Sequence, residues 1–349
     1  MRVSVLMTAY NAERFLPAAV ESVLRQTHRD FEFVVVDDGS TDGTPAILRR
    51  YAERDSRLRV ITHPNMGMGR SLNEALDTLE TEWVARLDAD DEMLPDRLER
   101  QLAFVARRPD LSVAATLVNY INARGLSVGW SFSRLVTPRA VAETLRAGDL
   151  IHVHHSSVVA RVESLRAAGG FRPQFWPADD VDLWNRMAER GHGVLVQPEY
   201  LTNYRVHGDS ACVASARRAA RKLEWVQACA RSRRTGYPEP TWGQFLDEAG
   251  ERSLFGRLNQ TRREVGRANY KAATVHFADR RYLCCAGHLA AAGALEPAYV
   301  TRKVLPQLAA RLWSPLRSGD SGADNTVAAD AVDLVPSPLV GEGAGPCRY

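Results

Sequence analysis

The segment Leu87-Asp88-Ala89-Asp90-Asp91 crowds three carboxylates behind an apolar run, Trp83-Val84-Ala85-Arg86-Leu87, that reads as a strand. Alternate residues of an extended chain point the same way. Asp88 and Asp90 would then form a hard oxygen site suited to Mg2+ or Mn2+. Such an ion bridges a diphosphate and neutralises charge as the group departs. A lone D-x-D is common by chance, so its neighbours matter. Thr8, Tyr10 and Asn11 follow a first apolar run, and Asp37 and Asp38 follow a second. Open α/β sheets bind ligands at the carboxyl ends of their strands. One crevice could therefore receive a hydroxyl, an aromatic ring and several carboxylates. The alternative for Asp37-Asp38-Gly39-Ser40-Thr41-Asp42-Gly43 is ordinary turn composition.

The elements that must position these residues are legible as alternation. Val3–Met7 and Phe33–Val36 are continuous apolar runs, as expected of strands buried on both faces of a parallel sheet. Phe15, Ala19, Val20, Val23 and Leu24 recur between them at helical spacing. A helix is predicted after Thr44-Pro45, with proline in its first turn. Further helices are predicted near Ser71–Leu79 and from Pro95 to about Arg107. Strands are predicted near Leu58–Thr62, Trp83–Leu87 and Ser112–Leu117. This alternation predicts a doubly wound, mostly parallel, Rossmann-like sheet. A mixed stretch continues the same domain to residue 210, with helices near Pro138–Ala147 and Val181–Arg190 and strands near Ser156–Val159 and Gly193–Val196. Residues 211–313 are alanine- and arginine-rich and predict a helical C-terminal appendage. Residues 314–349 lack periodicity and predict a disordered tail.

The ordered motifs narrow the chemistry. Thr8-Ala9-Tyr10-Asn11, Gln26-Thr27, Val35-Val36-Asp37-Asp38-Gly39-Ser40-Thr41-Asp42 and Asp88-Ala89-Asp90-Asp91 with Pro95 come first. Gly169-Gly170-Phe171, Asp179-Asp180-Val181-Asp182-Leu183-Trp184 and Tyr204-Arg205-Val206-His207 follow. Over roughly residues 1–210 this set resembles family 2 glycosyltransferases. The resemblance implies the GT-A fold, a nucleotide-diphosphate sugar donor, here UDP-linked, and inversion at the anomeric carbon. It implies a divalent metal, Mn2+ or Mg2+, and a glycan or lipid-linked acceptor in bacterial polysaccharide biosynthesis. Thr8, Tyr10 and Asp38 would contact base and ribose, with Asn11 beside them. Arg70, in the loop Asn65–Arg70, would meet the uracil or a phosphate. Asp88 would face the ribose and diphosphate, Asp90 would be the principal metal ligand, and Asp180 would be the catalytic base. In the family a glutamate usually precedes that base; here the residue is Asp179.

Elementary chemistry is consistent with these roles. Single displacement needs a carboxylate beside the acceptor hydroxyl, opposite the leaving diphosphate. An aspartate of ordinary pKa, about 3.9, is ionised at neutral pH and can accept that proton. His207 could complete the metal shell, or be a histidine hydrogen-bonded within a loop. Asp179, Trp176 and His155 are candidates for the acceptor side; for His154, His155 and Ser156 the other reading is structural, and Trp184 reads as core. A non-catalytic sugar-nucleotide-binding or scaffold protein of the same fold is the alternative function.

Composition bounds the rest. The 45 basic and 42 acidic residues give a net charge of +3, so nucleic acid is not an expected partner. Only Lys222, Lys271 and Lys303 are lysines, a bias of the kind a GC-rich bacterial genome produces. The five cysteines form no C-x-x-C pair, which fits a reducing cytoplasm. The first apolar run is too short for a secretory signal. Basic residues Arg217, Arg218, Arg221, Lys222, Arg231, Arg233 and Arg234 surround Leu223, Trp225 and Val226, and Val300–Trp313 is a second basic amphipathic stretch. These C-terminal helices predict either peripheral contact with the inner face of the cell membrane or a solvated face over a packing surface.

Overall fold

The computed structural model describes residues 1–208, 215–251, 253–302 and 304. The expected tail, the expected boundary at residue 210 and most of Val300–Trp313 lie outside the described residues. The first half alternates as predicted: β1 (Val3–Ala9), α1 (Leu16–Leu24), β2 (Phe31–Asp37), α2 (Thr44–Ala52), β3 (Leu58–Thr62), α3 (Met68–Thr78) and β4 (Trp83–Arg86). There follow β5 (Glu92–Met93), α4 (Arg97–Ala106), β6 (Leu111–Asn122), β7 (Ser127–Trp130), α5 (Pro138–Arg146), β8 (Val159–Arg161), α6 (Val162–Ala167), α7 (Asp179–Glu189) and β9 (Gly193–Val206). One mixed, mostly parallel sheet runs β3-β2-β1-β4-β8-β6-β9-β5, with β7 paired to β6. β1, β2, β3 and β4 pair in parallel, β8 enters antiparallel between β4 and β6, and β6 pairs with β9 in parallel.

The continuous apolar runs are explained by two cores, one on each face. Leu6, Val34, Val36 and Val84 point to α3, α6 and α7, meeting Leu72, Leu76, Leu165, Leu183 and Trp184. Their sequence neighbours Val5, Met7, Phe33, Val35 and Ala85 point to α1, α2 and α4, meeting Ala19, Val20, Val23, Leu48 and Leu102. Period-two alternation thus divides each strand between two helical layers. Trp184 is fully buried, as expected.

Three local expectations are corrected. The predicted strand near Ser156–Val159 opens as a 3-10 turn at His155–Ser157, and the strand starts at Val159. The turn is favoured because the hydroxyls satisfy backbone groups: Ser157 Oγ donates to His154 O at 2.8 Å, and Ser156 Oγ accepts from Asp88 N at 3.0 Å. The strand predicted at Gly193–Val196 continues to Val206, long enough to carry its end to the carboxylate cluster. Asp88 and Asp90 do not alternate along a strand. The chain turns at Ala89–Asp90, closed by Asp91 N donating to Asp88 O at 3.1 Å.

Beyond residue 215 the chain is helical: α8 (Ala216–Arg234), α9 (Trp242–Glu251), α10 (Leu254–Ala278) and α11 (Tyr282–Leu295). The basic cluster, read from sequence as either a lipid-contacting face or a solvated face over a packing surface, makes mostly intramolecular contacts. Trp225 and Val226 are buried with Phe175 and Cys229, and Trp225 stacks on Phe175 at 4.1 Å between ring centroids. Arg233 and Arg234 both pair with Glu189 of α7, and Lys222 lies over Trp242 at 3.8 Å. The apolar stripe of α8 packs this helix against Phe175, Ala178 and Val181, around the start of α7. Among the described residues no helix is long and apolar enough to cross a membrane.

Candidate active site

A cleft of about 1690 Å3 opens at the carboxyl ends of β1, β2 and β4 and is lined by Thr8, Tyr10, Asn11, Asp38, Arg70, Asp88, Asp90, Trp176, Asp179, Asp180 and His207. His155 also borders it. The residues singled out from sequence therefore converge on one cavity, although their local tasks differ.

Asp38 is buried and spends its carboxylate on the loop opposite, accepting from Met66 N at 2.8 Å and Gly67 N at 3.0 Å. Gly67 has φ +88, a left-handed conformation that favours glycine. Asp38 thus shapes the loop that starts α3 and sets Arg70, exposed in that helix's first turn, at the cleft. Asn11 also sits left-handed, at φ 49, with its Oδ1 accepting from Thr41 N at 2.8 Å. Tyr10 is 54% exposed, leaving its ring face open to the cleft.

The carboxylate cluster divides into three environments. Asp88 Oδ1 accepts from Arg86 Nη2 at 2.8 Å. Burial pushes its pKa up, but the positive charge of Arg86, reinforced by that of Arg97, holds it below the ordinary value. Asp90 Oδ2 lies 2.9 Å from His207 Nε2. Asp91 is buried, accepts from Arg205 N at 2.7 Å, and is driven well above the ordinary carboxylate range by burial and then by its neighbours Asp90 and Asp88. Asp91 therefore anchors the end of β9, which is how His207 reaches Asp90. Asp90 and His207 offer one carboxylate oxygen and one imidazole nitrogen, donor types that would suit a divalent cation such as Mn2+. Among the described residues no group of three or more His, Cys, Asp or Glu side chains is arranged for a metal.

The second half of the cleft is built by the N-terminus of α7. Asp179 is 1% exposed, and a Cβ on Gly69 would stand 3.2 Å from its Oδ2, so α3 and α7 approach closely here. Burial lifts its pKa to about 6. Asp180, the next residue, is half-buried and pushed up to about 7, first by burial and then by the charge of Asp179. The sequence reading assumed an ordinary aspartate; the structure places this carboxyl where it titrates near neutrality. Trp176 stands beside it, with the Arg218 guanidinium 4.8 Å from the ring centroid.

His155 borders the cleft with little of its ring exposed. It is buried, and Nε2 accepts from Arg86 Nε at 3.0 Å. Burial and the adjacent arginine hold its pKa down to about 3, so it stays neutral as that hydrogen bond requires. Sequence reasoning gave no role to Arg86 or Arg97, two fully buried arginines beneath the cleft. Arg86 also donates to Leu6 O, while Arg97 donates to Ser156 O at 2.6 Å and Arg86 O at 3.0 Å. The signal was present: a cation inside the apolar run Trp83–Leu87 must be buried and fully partnered.

Residues 4–167 match the family described as Glycosyl transferase family 2. The putative glycosyltransferase EpsE of Bacillus subtilis is 32% identical over 60% of this chain and 74% of its own length. Two solved structures share the fold. TarS 1-349 of S. aureus in complex with UDP-GlcNAc has a TM-score of 0.53 at 18% identity, covering 87% of this chain and 92% of that one. The mannosyltransferase PcManGT from Pyrobaculum calidifontis, in complex with GDP-Man and Mn2+, has a TM-score of 0.50 at 21% identity, covering 90% and 81%.

Proposed function

The chain belongs to glycosyl transferase family 2, and from that premise we propose that it moves a sugar, with inversion, from a UDP-linked donor to a glycan or lipid-linked acceptor. The observation that carries the reading is the convergence of Asp38, Asp88, Asp90 and Asp180 on one cleft, with Asp180 poised at about 7. Solved structures of the fold bound to UDP-GlcNAc or to GDP-Man and Mn2+ support a nucleotide-sugar donor.

Tyr10 and Arg70 receive the nucleotide, while Asp88, held ionised by Arg86, faces the ribose and diphosphate. Asp90 and His207 would hold a divalent cation, which supplies neutralisation of the departing diphosphate. Asp180 accepts the proton of the acceptor hydroxyl as its oxygen attacks the anomeric carbon and the nucleoside diphosphate leaves. A base near neutrality combines adequate basicity with a substantial ionised fraction at working pH. No second acid is needed, because a diphosphate leaves without protonation.

A hydrolysis and transfer screen with UDP-, GDP- and dTDP-sugars plus Mn2+ identifies the donor. Asp180→Asn is expected to lower turnover at least a hundredfold while nucleotide binding persists. Unchanged transfer in that variant would sink the mechanism.

A further inference from the structure

Most large apolar side chains lie in the two cores, yet six gather on one outer edge. Leu126, Trp130 and Phe132, from β7 and its flanking turns, are 46%, 55% and 54% exposed. Phe277, Tyr282 and Leu283, at the corner between α10 and α11, are 37%, 60% and 91% exposed. The hairpin turn meets that corner. Asn122, the last residue of β6 and paired with Leu126 across the turn, donates from Nδ2 to Ala278 O at 3.1 Å, and Ala278 is the last residue of α10. Phe132 also lines the cleft, so this edge borders its mouth.

The charges on the same edge are one-sided. Arg124 sits in the hairpin turn, Arg134 follows β7, and Arg280 and Arg281 form the corner, all exposed; within these two segments the exposed acid is Asp279. Aliphatic tips, amphipathic Trp and Tyr rings, and arginines beside them match the boundary of an anionic bilayer, where apolar groups leave water and guanidiniums meet phosphates. A second copy of this surface would bring like charges together. We propose that this edge, rather than the basic stripe of α8, rests on an anionic membrane leaflet and turns the cleft mouth toward it. The surface stands on its own observations; the purpose assigned to it, admitting a lipid-linked acceptor, rests on the transferase reading above.

The test uses the full chain and sedimentation with vesicles. Equimolar phosphatidylglycerol and phosphatidylcholine are expected to bind it, pure phosphatidylcholine much less, and added salt should weaken the binding. The double substitution Leu126→Ser with Leu283→Ser is expected to lower the partition coefficient at least tenfold. Phe255→Ser, another exposed apolar site at the far end of α10, should leave it nearly unchanged. Equal binding by the double variant overturns the proposal, as does equal loss in Phe255→Ser. So does a self-association that the double variant abolishes without any vesicle binding in the parent. Donor hydrolysis in vesicle-free solution, together with the thermal midpoint, should stay at parental values in the double variant. A chain that binds vesicles but never turns over donor refutes the transferase reading and leaves the surface intact.

Discussion

Replacing Asp179 by Asn tests whether Asp180 is the group whose ionisation gates transfer. Asp180 stands at about 7 against an ordinary 3.8. That difference of about three pH units corresponds to about 4 kcal/mol between its two protonation states. Burial is the largest cause and repulsion from Asp179 the second. Removing the neighbour's charge should therefore return less than half of the rise, about one pH unit. The assay is kcat/KM against pH at saturating Mn2+, which reports ionisations of the free enzyme. In the parent the rate should climb through about 7, because the base works only when deprotonated. In Asp179→Asn the climb should centre near pH 6, so at that pH the ionised fraction rises from about one tenth to about one half. Relative to its own plateau, the variant is then about fivefold more active at pH 6 than the parent. An unmoved midpoint, or one displaced upward, would refute the assignment of the titrating group and the cause given for its shift.

Three further outcomes follow from the same geometry. Asp180 and Asp179 have folded pKa values above their unfolded ones, so the folded state holds more protons between about pH 4 and pH 7 and loses stability as pH rises through that window. Asp180→Asn should thus be inactive yet more resistant to urea at pH 8 than the parent, by at most about 3 kcal/mol once solvent in the cleft is allowed for; equal or lower stability counts against the burial argument. EDTA should abolish transfer and Mn2+ restore it, whereas Asp90→Asn and His207→Ala should need roughly tenfold more Mn2+ for half-maximal rate, measured by metal titration. Arg86→Met should cost about 1–3 kcal/mol in chemical denaturation, because it strands the buried acceptors His155 Nε2 and Leu6 O, while Asp88, partly exposed, can turn to water; a loss well under about 1 kcal/mol would show that the network is not structural.

The sheet was legible because its physics is local. Val3–Met7 and Phe33–Val36 had to be covered on both faces, and strands of that kind imply helices between them. What escaped was set by distant partners. Whether Ser156 extends a strand or caps a turn depends on Asp88 N, 68 positions away. Thr8, Tyr10, Asp38 and the Asp88–Asp91 cluster could be named from their places after predicted strands, and Arg70 and Asp180 from the family resemblance, but not their workloads. Asp38 and Asn11 turned out to hold loops, and His155 proved to be a buried acceptor for Arg86. Asp180's pKa depends on burial that no spacing encodes. The basic face of α8 was left with two readings because charge and apolarity at helical spacing look alike whether the stripe meets lipid or, as here, Phe175 and Glu189.

The two-residue pairing of β5 with β9 has a consequence in time. Asp90 and His207 are 117 positions apart, joined only when Asp91 and Glu92 receive the last residues of β9. A chain emerging from the ribosome therefore completes β1, β2 and β4, with the residues at their ends, long before the strand that brings His207 to Asp90. On the proposed assignment, the pair that would hold the cation is the last part of the cleft to be assembled.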